Sequence, residues 1–503
     1  MDRLFEEARA LREVEAQVLA LLAAEGFSEV VVPLLEREGV YSTEEAVRFV
    51  DRHGDVLGLR ADFTGPVARV VASRLWDVPD VRLAYRGTVF RDVDAQGGER
   101  RQQQQAGFEH FGLGGAPEDV ATVELAVRAA RALGLDDLVV SLGSAALLEA
   151  LLPGASPTVR RALDRRDAPA LPEPLRPLVE LVGGADLLPR ARALLPTVAR
   201  PALERLEAIA EGLAPTPARL VIDLAEVRPW TYYTGFVFSL YAAAFPRSVA
   251  AGGRYDDLVA RFGHARRAVG ASFDVEALAG ARVKGPPPRR KLRLALPKGR
   301  IQRSALQALA GRAPSLPTLG SRSLLLDGED GATSFVLVKD PDVPAYVERG
   351  AADLGICGRD VLRERSADVL EPLTTPWGRC RMCLAARREV DVVGLAKRGT
   401  LRVATKYPAI ARAALMARGL PAEIVALQGS VELAVVAELA DAIVDLVETG
   451  ATLAANGLEV KEELFVSTAR VIVNRAAFRL RHDEVAGLLD ELRRAMEDPA
   501  ADA

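Results

Sequence analysis

Three consecutive prolines sit inside the basic, glycine-flanked stretch GARVKGPPPRRK, Gly280 to Lys291. Such a run favours extended polyproline conformation, and its glycine and basic flanks favour solvent. The chain is therefore expected to divide there. Directly after it, LRLALP reads as a short buried strand opening a new domain. At 503 residues the chain is too long for one hydrophobic core, which agrees with a division.

Before the seam, residues 1–279 mix helices with strand-like runs at Val30–Val32, Val81–Tyr85, Leu220–Leu224 and Thr231–Leu240. Between about 144 and 214 the pattern turns leucine- and alanine-rich and is broken by Pro153, Pro157 and Pro169, as in a helical insertion. After the linker, residues 292–503 alternate short apolar strands (Leu292–Leu296, Phe335–Val338, Leu401–Ala404, Ala442–Val447) with helical stretches. That alternation predicts an α/β architecture with largely parallel sheets.

The 65 basic and 69 acidic side chains leave a net charge of −4, so bulk charge gives no support to nucleic-acid binding. Three cysteines argue against a disulfide scaffold and fit a reducing, cytoplasmic setting. The opening MDRLFEEARALREVEAQVLALL reads as an amphipathic helix, not a signal peptide, and acids interrupt every apolar window, so no membrane span is expected. Cys380 and Cys383 form a CxxC with no second pair, and His53, His110, His264 and His482 are scattered, so no metal or nucleophile site is read from them.

The segment DAIVDLVETGATLAANGL, Asp441 to Leu458, carries the most chemistry. Alternation places Asp441, Ile443, Asp445 and Val447 on one side of a strand, which then turns at Thr449-Gly450-Ala451-Thr452 into a helix. Gly450 permits a tight turn whose N–H groups can converge on a phosphate, with the Thr449 and Thr452 hydroxyls as further donors. Asp445 and Glu448 stand where ribose hydroxyls or a phosphate-bound Mg²⁺ would meet them. The same residues also spell a strand, a turn and a capped helix with no ligand at all.

Five segments in order decide more than any one of them: ALPKGR (Ala295–Arg300), DVPAYVERGAADLGICGRDVL (Asp342–Leu362), RVATKYP (Arg402–Pro408), GSVELAVVAELADAIVDLVETGATLAANGL (Gly429–Leu458) and ARVIVN (Ala469–Asn474). Together they make the C-terminal part resemble the short form of ATP phosphoribosyltransferase. The resemblance implies two α/β lobes like those of periplasmic binding proteins, with substrates ATP and phosphoribosyl pyrophosphate and Mg²⁺ as cofactor. It implies that Glu448, Thr449, Gly450, Ala451, Thr452 and Leu453 hold the 5-phosphate, with Asp445 near the ribose. Lys298, Gly299, Arg300 and Lys339 would line the nucleotide and pyrophosphate side. Two departures from the family pattern stand out: Lys339 replaces an arginine, and a usually acidic position within Leu373–Gly378 is Thr374 or Thr375. No catalytic base is assigned.

The N-terminal part resembles the catalytic domain of histidyl-tRNA synthetase, a class II synthetase fold on an antiparallel sheet, through LRADFTGPVARV (Leu59–Val70), RLAYRGTVFRDVDAQGGERRQQQQAGFEHFG (Arg82–Gly112), VRPWTYYTGFVFSLY (Val227–Tyr241) and AGGRYDDLVARFG (Ala251–Gly263). The resemblance implies that Asp62, Gln105, Glu109, Tyr232 and Tyr233 surround a bound histidine; alternatively, these polar groups only hydrogen-bond within a remodelled core. GGERRQQQQ replaces the usual Arg-Glu-Phe-His-Gln run, AVGASFDVEALAG (Ala268–Gly280) lacks an ATP-gripping arginine, and Thr231 stands where an Asp is usual. No anticodon-binding domain follows the linker. This combination is similar to the regulatory subunit of short-form ATP phosphoribosyltransferases. It implies a transferase with a fused histidine-responsive domain, tethered at roughly millimolar effective concentration, and a homo-oligomer. A tRNA ligase and a small-molecule binding protein of periplasmic type are the alternative readings.

Overall fold

The computed structural model describes residues 3–37, 39–40, 46–93, 100–112, 114–227, 232–243, 245–284, 290–313 and 324–497. Thr231, Gly97 to Glu99 and linker residues 285–289, all invoked above, lie outside the described residues. The chain forms two compact units: Met1–Arg289 with Arg475–His482, and Arg290–Asn474 with Asp483–Ala503.

In the first unit the strands are β1 (Ser28–Glu29), β2 (Leu35–Arg37), β3 (Arg48–Val50), β4 (Val56–Leu59), β5 (Val81–Phe90), β6 (Gln102–Phe111), β7 (Val139–Ser144), β8 (Val182–Gly183), β9 (Arg219–Asp223), β10 (Phe236–Tyr241), β11 (Ala250–Arg254) and β12 (Ala268–Asp274). Nine of them form one sheet in the order β1-β5-β6-β12-β11-β10-β7-β9-β8, and β2, β4 and β3 form a small second sheet. The large sheet is antiparallel apart from the β1–β5 and β7–β9 pairs. The helices Phe5–Ala24 and Ala116–Ala132 bury their apolar stripes (Val14, Val18, Leu22; Val123, Val127, Ala130) in a common core with Phe108, Phe236 and Phe238. The strand expected at Val30–Val32 instead ends at Glu29, with the Val30 amide still donating to the neighbouring strand, to the Ala84 carbonyl at 2.8 Å. Within 144–214, Pro157 opens a helix instead of breaking one. It occupies the first turn of Pro157–Arg165 behind Ser156, whose Oγ accepts from the Val159 amide at 3.3 Å.

The second unit contains β13 (Leu292–Pro297), β14 (Leu325–Asp327), β15 (Thr333–Val338), β16 (Leu354–Gly358), β17 (Leu370–Thr374), β18 (Cys380–Arg387), β19 (Arg402–Thr405), β20 (Glu423–Ala426), β21 (Ala442–Val447), β22 (Leu458–Ser467) and β23 (Ala469–Val473). They make a six-stranded sheet, β14-β15-β13-β16-β23-β17, and a five-stranded sheet, β20-β19-β21-β18-β22. Both sheets are mixed, which corrects the expectation of largely parallel sheets. Parallel trios (β15-β13-β16 and β20-β19-β21) are extended by antiparallel strands, because β23, β18 and β22 return to a sheet by a short turn or after crossing from the other one. Among the described residues no helix is long and apolar enough to cross a membrane.

Candidate functional site

In the second unit, the loops that follow the parallel strands gather the charged residues. Strand β13 ends at Pro297, and the next residues are Lys298, Gly299 and Arg300; β15 ends beside it, in register Pro297 with Val338, and is followed by Lys339 and Asp340. The Lys298 amide donates to the Val338 carbonyl at 3.2 Å, so both loops open at the same sheet edge. Carboxyl ends of parallel strands are where α/β folds place ligands. Gly299 has φ +117°, a left-handed conformation favouring glycine, and leads into the helix Arg300–Ala308.

In the other sheet, β21 delivers Asp445 into a mostly apolar strand and ends at Val447. Glu448 and Thr449 follow, then Gly450 at φ +82°, then the short helix Ala451–Ala455. Leu453 anchors that helix in the core, while Thr449 and Thr452 face solvent. Asp441, just before the strand, is taken by Arg402 at 2.9 Å. Burial pushes the Asp445 carboxyl up from its ordinary value, opposed by the Leu446 amide and by Lys406, 3.8 Å away.

Arg300 and Glu448 meet. The guanidinium donates to both carboxylate oxygens at 2.6 and 2.8 Å, which joins the two loops named from the sequence across 148 positions of chain. The pair is exposed, and the hydrogen bonds from Arg300 hold the Glu448 carboxyl below its ordinary value. Sequence reasoning missed the groups between these loops. Tyr407, after β19, hydrogen-bonds Asp360, which also accepts from Ser467 Oγ at 2.8 Å. Burial, reinforced by Asp360, pushes Asp340 up to about 6. Tyr407 lies in the RVATKYP segment, but nothing in that segment links it to a carboxylate 47 positions earlier. Thr374 accepts a hydrogen bond from Arg470, and Thr375 Oγ donates to the Ala469 carbonyl at 3.0 Å, so these threonines bind β23. Among the described residues no group of three or more His, Cys, Asp or Glu is placed to hold a metal ion.

In the first unit a second polar cluster is largely buried, with Tyr233 partly exposed. Glu109 on β6 is 1% exposed and accepts from Thr64 Oγ at 2.8 Å, Tyr85 at 3.3 Å and Tyr255. Burial dominates and pushes its carboxyl up to about 8, against those hydrogen bonds. Burial also raises Asp62, whose Oδ1 accepts from the Gly65 amide at 3.1 Å. Tyr232 and Tyr233 pack with ring centroids 4.7 Å apart, and both lie edge-on to Tyr255. The structure thus unites Asp62, Glu109, Tyr232 and Tyr233. Gln105 shares their face of β6 but lies four residues along, roughly 13 Å away. Thr64, Tyr85 and Tyr255 were not singled out, although all three stand inside the motif segments. Glycine makes the room: Gly270 pairs in register with Glu109, and a Cβ there would fall 1.7 Å from Glu109 Oε2. The four histidines have local partners: Arg52 for His53, Asp80 for His110, Trp76 for His264 and the Phe478 carbonyl for His482.

The family profile described as histidyl-tRNA synthetase matches residues 1–278, and that described as ATP phosphoribosyltransferase matches residues 339–494. Over 210 residues the chain is 46% identical to an ATP phosphoribosyltransferase of Deinococcus deserti, covering 42% of this chain and 95% of the relative. It is 44% identical over 203 residues to that of Leptospira biflexa, covering 40% and 98%. A crystal structure of an ATP phosphoribosyltransferase regulatory subunit/histidyl-tRNA synthetase from Bacillus halodurans is similar with a TM-score of 0.50 at 25% identity, covering 67% of this chain and 97% of that one.

Proposed function

The chain belongs to the ATP phosphoribosyltransferase family through its C-terminal part and to the histidyl-tRNA synthetase family through residues 1–278, and we propose that the second restrains the first in response to histidine. The activity is that of an ATP phosphoribosyltransferase, a pentosyltransferase of histidine biosynthesis: N1 of ATP displaces pyrophosphate from phosphoribosyl pyrophosphate. The bond from N1 to the anomeric carbon forms as the carbon–oxygen bond to pyrophosphate breaks, and positive charge builds on the ribose. Catalysis then rests on positioning and on stabilising the departing anion.

The observation that carries the site assignment is the bidentate Arg300–Glu448 pair. It brings a Lys-Gly-Arg turn, suited to a polyphosphate, against an acidic strand end with a glycine turn, suited to a ribose 5-phosphate. In this reading Glu448 to Leu453 cradle the 5-phosphate and Asp445 meets the ribose. Lys298, Arg300 and Lys339 face the pyrophosphate and the nucleotide, with Arg300 exchanging Glu448 for phosphate when substrate enters. Mg²⁺ fits as an ion carried in on substrate phosphates, with Asp445 or Glu448 as the protein oxygen, since oxygen ligands and few protein groups suit it. It would neutralise charge on the leaving pyrophosphate. Histidine would meet Asp62 and Glu109 through its ammonium and imidazole groups, among Tyr232, Tyr233, Tyr85 and Tyr255. A cytoplasmic homo-oligomer completes the proposal.

The test is turnover of the purified chain with ATP, phosphoribosyl pyrophosphate and Mg²⁺, with and without histidine. Phosphoribosyl-ATP formation that histidine suppresses is the expected result. Turnover indifferent to histidine, together with no histidine binding by calorimetry, refutes the regulatory half of the proposal.

A further inference from the structure

Outside both sites, the first unit seals four charged side chains from solvent: Arg166, Asp223, Glu226 and Arg479. Arg479 Nη2 donates to Asp223 Oδ2 at 2.7 Å and lies 3.8 Å from Glu226 Oε2. Arg166 donates to the other Asp223 oxygen, which also accepts from the Ala225 amide at 3.1 Å. Glu226 accepts from Ser141 on β7 and Ser239 on β10. Two acids and two bases balance in a dry place, where neither sign survives unpaired.

Arg479 comes from the helix Arg475–Leu480, which belongs to the first unit although its sequence lies inside the transferase match. Arg219 donates to the carbonyls of Arg479 and Leu480 at 2.6 and 2.9 Å, at the helix end where carbonyls lack partners. Arg475 is paired with Asp164, and Ala476 joins Val139, Val221 and Tyr241 in one apolar cluster. The guanidinium of Arg166 lies 4.5 Å from the Phe478 ring.

Chain connectivity gives this clasp two ends. The helix is the direct continuation of β23, the strand between β16 and β17 in the transferase sheet, and the chain re-enters the second unit at Asp483. On the other side, Asp223 and Glu226 begin the connection from β9 to β10 that carries Tyr232 and Tyr233, only six positions after Glu226. The Arg479 Nε–H is buried with no hydrogen-bond partner among the described residues. That N–H is a buried donor left unsatisfied, which a shift of the cluster would be free to satisfy.

We propose that the Asp223–Arg479 clasp is the positioning device through which a ligand bound at the Asp62–Glu109 tyrosine cluster acts on the transferase. A ligand that repositions Tyr232 and Tyr233 pulls on the Asp223–Glu226 turn, and the buried ion pair passes that shift to the helix ending β23. The inference rests on the reading of the Asp62–Glu109 cluster as a histidine site.

The test uses the full-length chain carrying Asp223→Asn with Arg479→Gln, which keeps a hydrogen-bonding pair and removes both charges. Histidine affinity is measured by calorimetry, and inhibition by the histidine dependence of turnover. The expected result is unchanged histidine affinity and unchanged turnover without histidine, with turnover at saturating histidine raised about fivefold or more over that of the unaltered chain, the lower end of usual coupling factors. Inhibition identical to the unaltered chain, with binding retained, overturns the clasp alone. An unaltered chain that neither binds histidine nor responds to it overturns the histidine-site reading and the clasp with it. Should the double variant lose its cooperative melt, Arg479→Lys, which keeps the charge but not the fork, decides in its place: weakened inhibition supports the clasp and undiminished inhibition overturns it.

Discussion

Replacing Glu109 with glutamine should make the protein less sensitive to alkaline pH. The Glu109 carboxyl is 1% exposed, and its value is raised from 4.5 to about 8 chiefly by burial. Between those two values the folded chain holds a proton that the unfolded chain has released. Stability from this group is therefore complete below about pH 4.5 and declines as pH rises, by about 1.4 kcal/mol per pH unit until about pH 8. From about pH 6 to about pH 8 the loss comes to roughly 2–3 kcal/mol. In Glu109→Gln the amide oxygen can still accept from Thr64 and Tyr85, and the amide N–H can donate to the Tyr255 hydroxyl, so the three contacts survive while the titration disappears. Asp62, raised in the same direction, is present in both proteins and cancels in the difference. The assay is urea unfolding of both proteins near pH 6 and near pH 8, following a signal from the N-terminal tyrosines. The variant should gain roughly 2–3 kcal/mol on its parent over that interval. A stability difference that is the same at both pH values would refute the claim that Glu109 is protonated in the folded protein.

Two further substitutions examine the transferase half. Lys339→Arg restores a guanidinium fork at an exposed position beside Lys298 and should lower KM for phosphoribosyl pyrophosphate or ATP by roughly three- to tenfold, the gain from a second charge-assisted hydrogen bond; steady-state kinetics showing no change would mean that Lys339 does not face a phosphate. Gly450→Ala meets no steric obstacle, its Cβ lying 3.9 Å from Val447 Cγ1, yet it forces alanine to φ +82° at a cost of about 1–2 kcal/mol. KM for phosphoribosyl pyrophosphate should rise while histidine affinity stays the same, and an unaltered KM would remove this loop from the substrate site.

Much of the molecule is legible in its sequence, and the reason is local. Gly450 and Gly299 stand at turns that require left-handed backbone, and apolar runs such as Leu292–Pro297 and Ala442–Val447 form strands. Short-range steric rules and burial period set such features, so the residues alone carry them. The expected parallel sheets came out mixed, because strand direction depends on the path of the chain between strands. The sequence likewise pointed to Asp62, Glu109, Tyr232 and Tyr233 through family motifs, but not to Tyr85 and Tyr255, which sheet register brings to the same carboxylate. Nor does any local pattern announce that Arg300 grips Glu448, or that Arg479 leaves the transferase to neutralise Asp223, 256 positions away. What the sequence determined by itself was each element and its chemistry. Which charge is sealed against which was decided only by tertiary structure, because the electrostatic cost of a buried group depends on what the completed fold packs around it.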